Sequence, residues 1–161
     1  MQQNKGQRGF SLIELLIVVA IIGIIAAIAI PNLLASKRSA NEGSAIGSVR
    51  SINTAEATYF TTVGQNLNYG TRAQLQGASL IDSVLGGGNK SGYNFGVNNI
   101  VAPALGVAAQ YEVTATPASA NAVTGTGTRS FYSDESSVIY GLVGAAAPTR
   151  TATGATGNPI Q

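Results

Sequence analysis

The sequence predicts an α+β protein in which one long N-terminal helix packs on a small antiparallel β-sheet. Three observations indicate this fold class. Residues 10–30 form an apolar run, residues 33–63 carry apolar side chains at spacings of three and four, and residues 93–143 contain short runs of alternating polarity. Spacings of three and four are typical of an amphipathic helix, and alternation is typical of a half-buried strand.

Residues 1–9 form a short polar leader that is too short to fold alone. Its charges are Lys5 and Arg8, and without the leader the formal net charge falls from +2 to zero, because seven basic residues then face seven acidic ones. The basic excess is therefore a property of the leader. By the positive-inside rule these two cations hold the N-terminus on the cytoplasmic side of a membrane and direct the remainder outward.

The apolar run at residues 10–30 is long enough to span a membrane, since a helix of this length covers the hydrocarbon core of about 30 Å. Its polar residues are Ser11 and Glu14. A carboxylate near the centre of a membrane helix costs about 2.5 kcal/mol or more when it is unpaired. We therefore expect Glu14 to have a cationic partner. Cutting the chain before Phe10 would create such a cation, an α-ammonium that a neighbouring helix could bring to the carboxylate.

The segment Gly9-Phe10-Ser11-Leu12-Ile13-Glu14, followed by an apolar helix, closely resembles the class III signal of type IV pilins and of the related type II secretion pseudopilins. The resemblance is dense over residues 9–34 and looser beyond them. It implies the pilin fold, cleavage between Gly9 and Phe10, and N-methylation of Phe10 by a prepilin peptidase and methyltransferase. It also implies that Glu14 and Phe10 act in assembly.

Two other interpretations of the apolar run stay open. Ala27-Ile28-Ala29 imitates the cleavage site of a secretory signal peptide, although the apolar region of such peptides spans about 7–15 residues and lacks an acid. A plain signal anchor would let Glu14 reach the membrane surface along its own stem. Retention of residues 1–9 in the mature protein would favour the anchor.

The helix continues beyond the apolar run in amphipathic form, and the positions that predict this are Leu33, Leu34, Ala45, Ile46, Val49, Ile52, Ala55, Tyr59 and Val63. We expect one helix from Phe10 to about Val63, ended by Gly64 as its C-cap residue. Its weak points are Gly23 and Pro31, because glycine lowers helix propensity and proline lacks an amide hydrogen. The stretch between them either kinks or, as the resemblance implies, loses helical structure on entering a filament.

Residues 64–161 are expected to form the β-domain. Residues 64–92 connect it to the helix through short helical turns at 72–75 and 80–85, and the sheet packs on Ile52, Tyr59 and Val63. Its predicted strands are Tyr93 to Val101, Gly106 to Thr116, Thr128 to Ser133, and Ser137 to Val143. Residues 121–128 are expected to be a flexible loop, and the Ala-, Thr- and Gly-rich residues 144–161 an exposed, mobile tail.

The composition argues against an enzyme. The chain has no Cys and no His, so disulfides, thiolate or imidazole metal ligands, Cys nucleophiles and His general bases are excluded. Residues 86–91 fail as a phosphate loop because Asn89 stands where that motif needs glycine. No cofactor and no basic nucleic-acid surface are expected. Asn89-Lys90-Ser91 matches the glycosylation triplet, which occurs often by chance.

Asp134 and Glu135 are weak candidates for a metal site. They lie between two predicted strands, and their carboxylates could bind a hard cation such as calcium. The resemblance gives a precedent, since major secretion pseudopilins bind calcium near their C-terminal strands. An ordinary turn closed by the Asp134 side chain explains the same residues.

The resemblance implies the major structural subunit of a type IV pilus. Such a subunit is stored in the inner membrane with a cytoplasmic N-terminus, and it polymerises with copies of itself into an extracellular filament. A cytoplasmic ATPase and an assembly platform would drive this process. The alternative is a pseudopilin of a type II secretion system. From other classes, a membrane-anchored enzyme and an anchored binding or DNA-uptake module stay open.

Overall fold

The computed structural model describes residues 9–101, 108–121, 124–151 and 154–160 and shows an α+β fold. The helices are α1 (Leu12–Thr62), α2 (Arg72–Gly77) and α3 (Ser83–Gly86). The strands are β1 (Asn89–Lys90), β2 (Tyr93–Val101), β3 (Gln110–Pro117), β4 (Arg129–Asp134), β5 (Ile139–Val143), β6 (Arg150–Thr151), β7 (Gly154–Ala155) and β8 (Asn158–Ile160). We call the described residues that follow α1, with their helices, strands and loops, the head.

The head is built on one antiparallel sheet with the strand order β1-β2-β3-β4-β5-β8, and β6 pairs with β7 in a separate hairpin. In the centre of the sheet, Val113 of β3 lies opposite Ser133 of β4. Along β3 the residues alternate between buried and half-buried positions. This alternation is the pattern of a sheet with one face on a core.

Helix α1 is continuous through both predicted weak points, Gly23 and Pro31. The side chain of Asn32 donates to the carbonyl of Ile28 at 3.1 Å, one turn back. The kink and the local unwinding therefore stay predictions about other states of the chain. The predicted single long helix is confirmed.

The end of α1 differs from the prediction by one residue. Val63 is the C-cap, and the left-handed residues that turn the chain are Gln65 and Asn66, with φ of 55° and 59°. Gly64 is required for another reason, because a Cβ there would collide with the carbonyl oxygen of Asn68. Close backbone approach, rather than a positive φ, explains this glycine.

The second half of α1 packs on the inner face of the sheet. The buried core contains Ala45, Val49, Ile52, Ala55 and Tyr59 of α1 together with Leu75, Leu85, Tyr93, Phe95, Tyr111, Val113, Ala115, Phe131 and Ile139 of the head. The prediction that Ile52 and Tyr59 face the sheet is confirmed. Val63 was assigned to the same face, and this is wrong, because the chain turns there and leaves Val63 53% exposed.

The two predicted helical turns in the connection are α2 and α3, and side chains cap both. Thr71 and Gln74 form a reciprocal capping box at the start of α2. Asp82 accepts a hydrogen bond from the amide of Leu85, at 2.6 Å, at the start of α3. The predicted strands correspond to β2, β3, β4 and β5, although residues 106 and 107 lie outside the described part of the chain.

The tail differs most from its prediction. Residues 144–160 were expected to be exposed, yet β8 pairs with β5, and Pro148 is among the most completely buried side chains. Both faces of β4 are covered: the Ser130 hydroxyl, on the face away from α1, donates to the carbonyl of Gly144 at 2.7 Å. The predicted exposure is therefore wrong for Pro148, whereas residues 145, 146, 149, 151 and 156–159 are exposed, and mobility of the tail stays a prediction.

Candidate functional site, an exposed apolar helix

The first half of α1 has no partner within the described part of the chain. The large apolar side chains from Leu12 to Leu33 are about half exposed or more. Leu12, at 80%, is the most exposed of them, and Val18, at 47%, is the least exposed. Monomeric soluble proteins rarely expose contiguous apolar patches larger than a few hundred Å². This half of α1 therefore requires a cover from outside the monomer, either lipid or another protein surface.

Length and composition make α1 fit to cross a membrane, and among the described residues it is the one helix that does. Near its N-terminal end, Leu12, Leu15, Leu16, Val19 and Ala20 line a shallow apolar groove. A groove of this kind accepts an apolar side chain of a neighbouring helix.

Glu14 is exposed and lies in the first turn of α1, but it is not among the residues that line this groove. Ser11 and Glu14 have the spacing of a capping box, but Ser11 makes no side-chain cap. No hydrogen bond or ion pair joins the Glu14 carboxylate to any other described residue. The remaining described carboxylates have partners, which are Arg129 for Glu42, the amide of Gly70 for Glu56, Lys90 for Asp82, and Arg150 for Glu112, Asp134 and Glu135.

Gly9 and Phe10 precede the first helical residue, and both are exposed. A Cβ at Gly9 would meet no atom within 4 Å, so packing in the described chain does not explain a glycine there. The same is true of Gly23 within α1. The peptide bond between Gly9 and Phe10 is open to attack, and the amine that its cleavage creates would lie one turn before Glu14.

Glu42 ties the second half of α1 to the head. Its Oε1 accepts from the amide and the hydroxyl of Thr128, each at 2.8 Å, and its Oε2 accepts from Nε of Arg129 at 2.8 Å. Burial raises the pKa of Glu42, but the bonds from Thr128 and Arg129 outweigh burial and lower it below its ordinary value. Glu42 is therefore ionised, and both of its carboxylate oxygens accept hydrogen bonds within the monomer.

Two further polar residues of α1 fix its position on the head. Asn53 donates to the Ser133 hydroxyl at 2.8 Å and accepts from the Tyr111 hydroxyl at 3.3 Å. Glu56 is fully buried and accepts from the amide of Gly70 at 2.8 Å, while its Oε1 has no hydrogen-bond partner in the structure. Burial raises its pKa to about 7 against the weaker opposing effect of the Gly70 bond. The sequence analysis missed these residues, although polar residues on the apolar face of a helix are a visible signal.

The two candidate metal ligands are occupied by the protein. Asp134 Oδ1 accepts from the amide and the hydroxyl of Ser136, at 2.9 and 2.6 Å, which is the predicted turn. Both oxygens of Glu135 accept from the guanidinium of Arg150, at 2.7 and 2.6 Å, and this lowers the pKa of Glu135. The described residues contain no group of three or more acidic, His or Cys side chains able to hold a metal ion.

Comparison with known proteins finds similarity chiefly in the N-terminal segment of the chain. Residues 4–30 match the family described as the prokaryotic N-terminal methylation motif. The chain is 47% identical over 58 residues to the type IV major pilin protein PilA of Myxococcus xanthus, which is 36% of this chain and 26% of that protein. It is 60% identical over 38 residues to the type IV wide pilus major component PilA4 of Thermus thermophilus, 24% of this chain and 29% of that protein.

A third relative covers more of the chain. The type II secretion system core protein G of Escherichia coli is 31% identical over 99 residues, which is 58% of this chain and 65% of that protein. The chain thus spans less than two thirds of each of these relatives. No solved structure matches it.

A long, exposed apolar helix that carries a methylation motif and packs on a small antiparallel sheet is a pilin-like arrangement. Residues 4–30 carry that motif, and over part of its length the chain is similar to type IV pilus components and to a type II secretion core protein. The resemblance of residues 9–34 is thereby confirmed.

Proposed function

We propose that this chain is the major structural subunit of a type IV pilus and that it polymerises through residues 10–34. The observation that supports this most directly is an exposed apolar half-helix whose single acid, Glu14, has no described partner. The relatives in Myxococcus xanthus and Thermus thermophilus are themselves named as major pilus components.

Processing precedes assembly in this proposal. A prepilin peptidase cleaves between Gly9 and Phe10 and methylates the new N-terminus, as the description of the matching motif suggests. Cleavage removes the two cations of the leader and replaces them with one ammonium group at Phe10. This group lies at the same end of α1 as Glu14.

Assembly then buries the apolar half-helices against each other. Burial of apolar surface contributes about 25 cal/mol per Å², so stacking of many such helices stabilises a filament core. Glu14 sets the register, since its carboxylate pairs with the Phe10 ammonium of another copy. A helix that docks out of register leaves both charges unpaired in a medium of low dielectric constant.

The proposed precursor lies in the inner membrane with a cytoplasmic N-terminus, and the assembled filament is extracellular. A cytoplasmic ATPase and a membrane platform supply the energy, because the chain lacks a phosphate-loop motif of its own. The stretch between Gly23 and Pro31 is where α1 bends or unwinds as the subunit moves from lipid into the filament.

Glu14→Ala tests the register role in cells that depend on this subunit. We expect cleavage and methylation of Phe10 to continue, and the yield of sheared filaments to fall at least about tenfold, equivalent to 1.4 kcal/mol per contact. Mass spectrometry of the N-terminus and electron microscopy measure the two outcomes. Ser36→Ala, an exposed change on the same helix, is the control, and wild-type filament yield from Glu14→Ala contradicts the proposed register.

The alternative is a pseudopilin of a type II secretion system. The observation in its favour is that the match to core protein G of Escherichia coli covers the largest share of this chain among the three relatives described above. Long surface filaments composed mainly of this subunit exclude the alternative. Loss of protein secretion on deletion of the gene, without loss of surface filaments, supports it.

A further inference from the structure

A short bare segment separates the apolar half of α1 from the half that carries the head. The last large apolar side chain of the first half that is mostly exposed is Leu33, and the first described hydrogen bond from a side chain of α1 to the head is made by Asn41, which donates to the carbonyl of Thr126 at 2.8 Å. Residues 35–40 lie between them and contain Lys37 and Arg38. We call residues 35–40 the collar, which is about 9 Å long at the standard helical rise.

The two cations of the collar have no ion-pair partner among the described residues. The nearest carboxylate along the helix is Glu42, one turn beyond Arg38. Both of its oxygens are already occupied by Thr128 and Arg129. The ion pairs of the head use other cations, namely Lys90, Arg129 and Arg150. Lys37 and Arg38 are therefore available to an anion outside the monomer.

The dimensions of α1 place the collar at a membrane surface. Residues 12–34 of α1 form a helical stretch of about 35 Å, which fills a hydrocarbon core of about 30 Å with a modest tilt. The collar then coincides with the layer of lipid headgroups, and the head lies beyond it. Arg38 also lines a pocket of about 380 Å³ with Ala35, Ser39, Glu42 and Thr128, which gives a headgroup room between helix and head.

A second copy of the chain explains the unpaired cations less well. Among the described residues the exposed acid without a partner is Glu14, and it lies 23 residues before Lys37, about 35 Å along the axis. A neighbour shifted by 35 Å to pair these charges would lose most of the overlap between the apolar half-helices. The phosphate anions of lipid headgroups need no such shift.

We propose that Lys37 and Arg38 bind the phosphate groups of anionic phospholipids in the leaflet that faces the head and so set the depth at which the chain is stored. This inference rests on the proposed membrane-held precursor. Attraction of one Lys or Arg near an anionic surface corresponds to about fivefold in lipid preference, so the pair gives about 25-fold at low salt. Entry into a filament exchanges these contacts for contacts with other subunits.

The test uses the full chain with Ala40→Cys, since the natural sequence has no cysteine to compete for the label. A donor fluorophore on this cysteine is placed in vesicles of equal parts phosphatidylcholine and phosphatidylglycerol that contain a trace of acceptor-labelled lipid of either kind. We expect energy transfer to report enrichment of phosphatidylglycerol over phosphatidylcholine beside the collar, approaching 25-fold at low salt. Lys37→Gln with Arg38→Gln should abolish the enrichment.

Two controls accompany this variant. Lys37→Arg with Arg38→Lys retains both charges and should retain the enrichment. Arg50→Gln removes an exposed cation of the same helix about 18 Å further from the membrane and should leave the enrichment unchanged. Equal enrichment in the wild type and the Lys37→Gln/Arg38→Gln chain, both inserted, overturns the inference.

Insertion is measured separately, by resistance of the vesicle-bound chain to alkaline extraction. Failure to insert contradicts the proposed membrane-held precursor itself. Normal insertion without lipid enrichment contradicts only the role of the collar. A loss of self-association in the Lys37→Gln/Arg38→Gln chain, with unchanged lipid enrichment, assigns the cations to a second copy and also overturns the inference.

Discussion

The two halves of α1 have the same secondary structure and opposite environments. Residues 12–34 expose their apolar side chains on every side, whereas Val49, Ile52 and Tyr59 in the second half are buried on the sheet. Helix formation does not distinguish the halves, since both are helical along their whole length. The difference is the partner: the second half finds its partner in its own chain, and the first half requires another molecule.

The acids of the two halves show the same contrast. Glu42 and Glu56 each accept hydrogen bonds from the head, while Glu14 accepts none from the described residues. An acid with a partner contributes to the stability of the monomer, and an acid without one is free to select a partner. One uninterrupted helix therefore has a half that packs within its own chain and a half that, in the proposed function, packs on other copies.

The largest expected difference in the free energy of unfolding is between isoleucine-to-alanine substitutions in the two halves. Ile52→Ala leaves a cavity in the core of the head, because Ile52 is fully buried, and should lower the free energy of unfolding by about 2–5 kcal/mol. Ile17→Ala, at a side chain 51% exposed, should change it by less than about 0.5 kcal/mol. Urea unfolding in mild detergent, followed by tyrosine fluorescence, measures both. Equal effects would erase the distinction between the halves.

The next largest effect is a pH dependence that belongs to Glu56. Its pKa is about 7 in the folded state against an ordinary value of 4.5, so the folded chain binds this proton more tightly than the unfolded chain. The free energy of unfolding should therefore fall as pH rises from 4.5 to 7, by roughly 3 kcal/mol, and change little above 7. The ionisable groups nearest to it are Tyr69 and Tyr111, which stay neutral throughout this range.

Glu56→Gln isolates this effect, because glutamine keeps an acceptor for the Gly70 amide and does not titrate. We expect the slope between pH 4.5 and 7 to disappear in this variant. Ionisation of the wild-type carboxyl should also speed amide exchange at Gly70, since the unpaired charge favours an open loop. Glu14→Gln is the matched change in the other half and should leave the slope intact. An unchanged slope in Glu56→Gln rules out Glu56 as its source.

The smallest effect is expected from Glu42→Gln. The amide oxygen still accepts from Thr128, but the ion pair with the partly exposed Arg129 is lost, so the free energy of unfolding should fall by about 1 kcal/mol. Urea unfolding at pH 7 measures the change, and Arg50→Gln, an unpaired cation on the same helix, should show none. A loss as large as that of Ile52→Ala would mean that polar contacts, rather than apolar packing, hold α1 on the head.

The local sequence was sufficient to predict an element whose limits depend on residues close together in the chain. The bounds of β2 and the positions of α2 and α3 follow from alternation, glycines and capping residues close in the chain. It was insufficient where distant residues meet. Pro148 and Arg150 lie in a segment with little apolar content, yet one is buried and the other pairs with Glu112, Asp134 and Glu135, fifteen or more residues away.

The sequence by itself was sufficient to predict an apolar helix with one acid at the start of the chain, because the length and the composition of that run are local properties. The structure places this helix from Leu12 onward, uncovered by the other described residues. The methylation motif around Phe10 was also visible in the sequence, since that motif is local. Only the tertiary structure decided which acids have partners within the monomer. It also decided that Asp134 and Glu135 pair with Arg150. Those outcomes depend on strand register and on the return of the tail over β4, which arise from contacts between residues far apart in the chain.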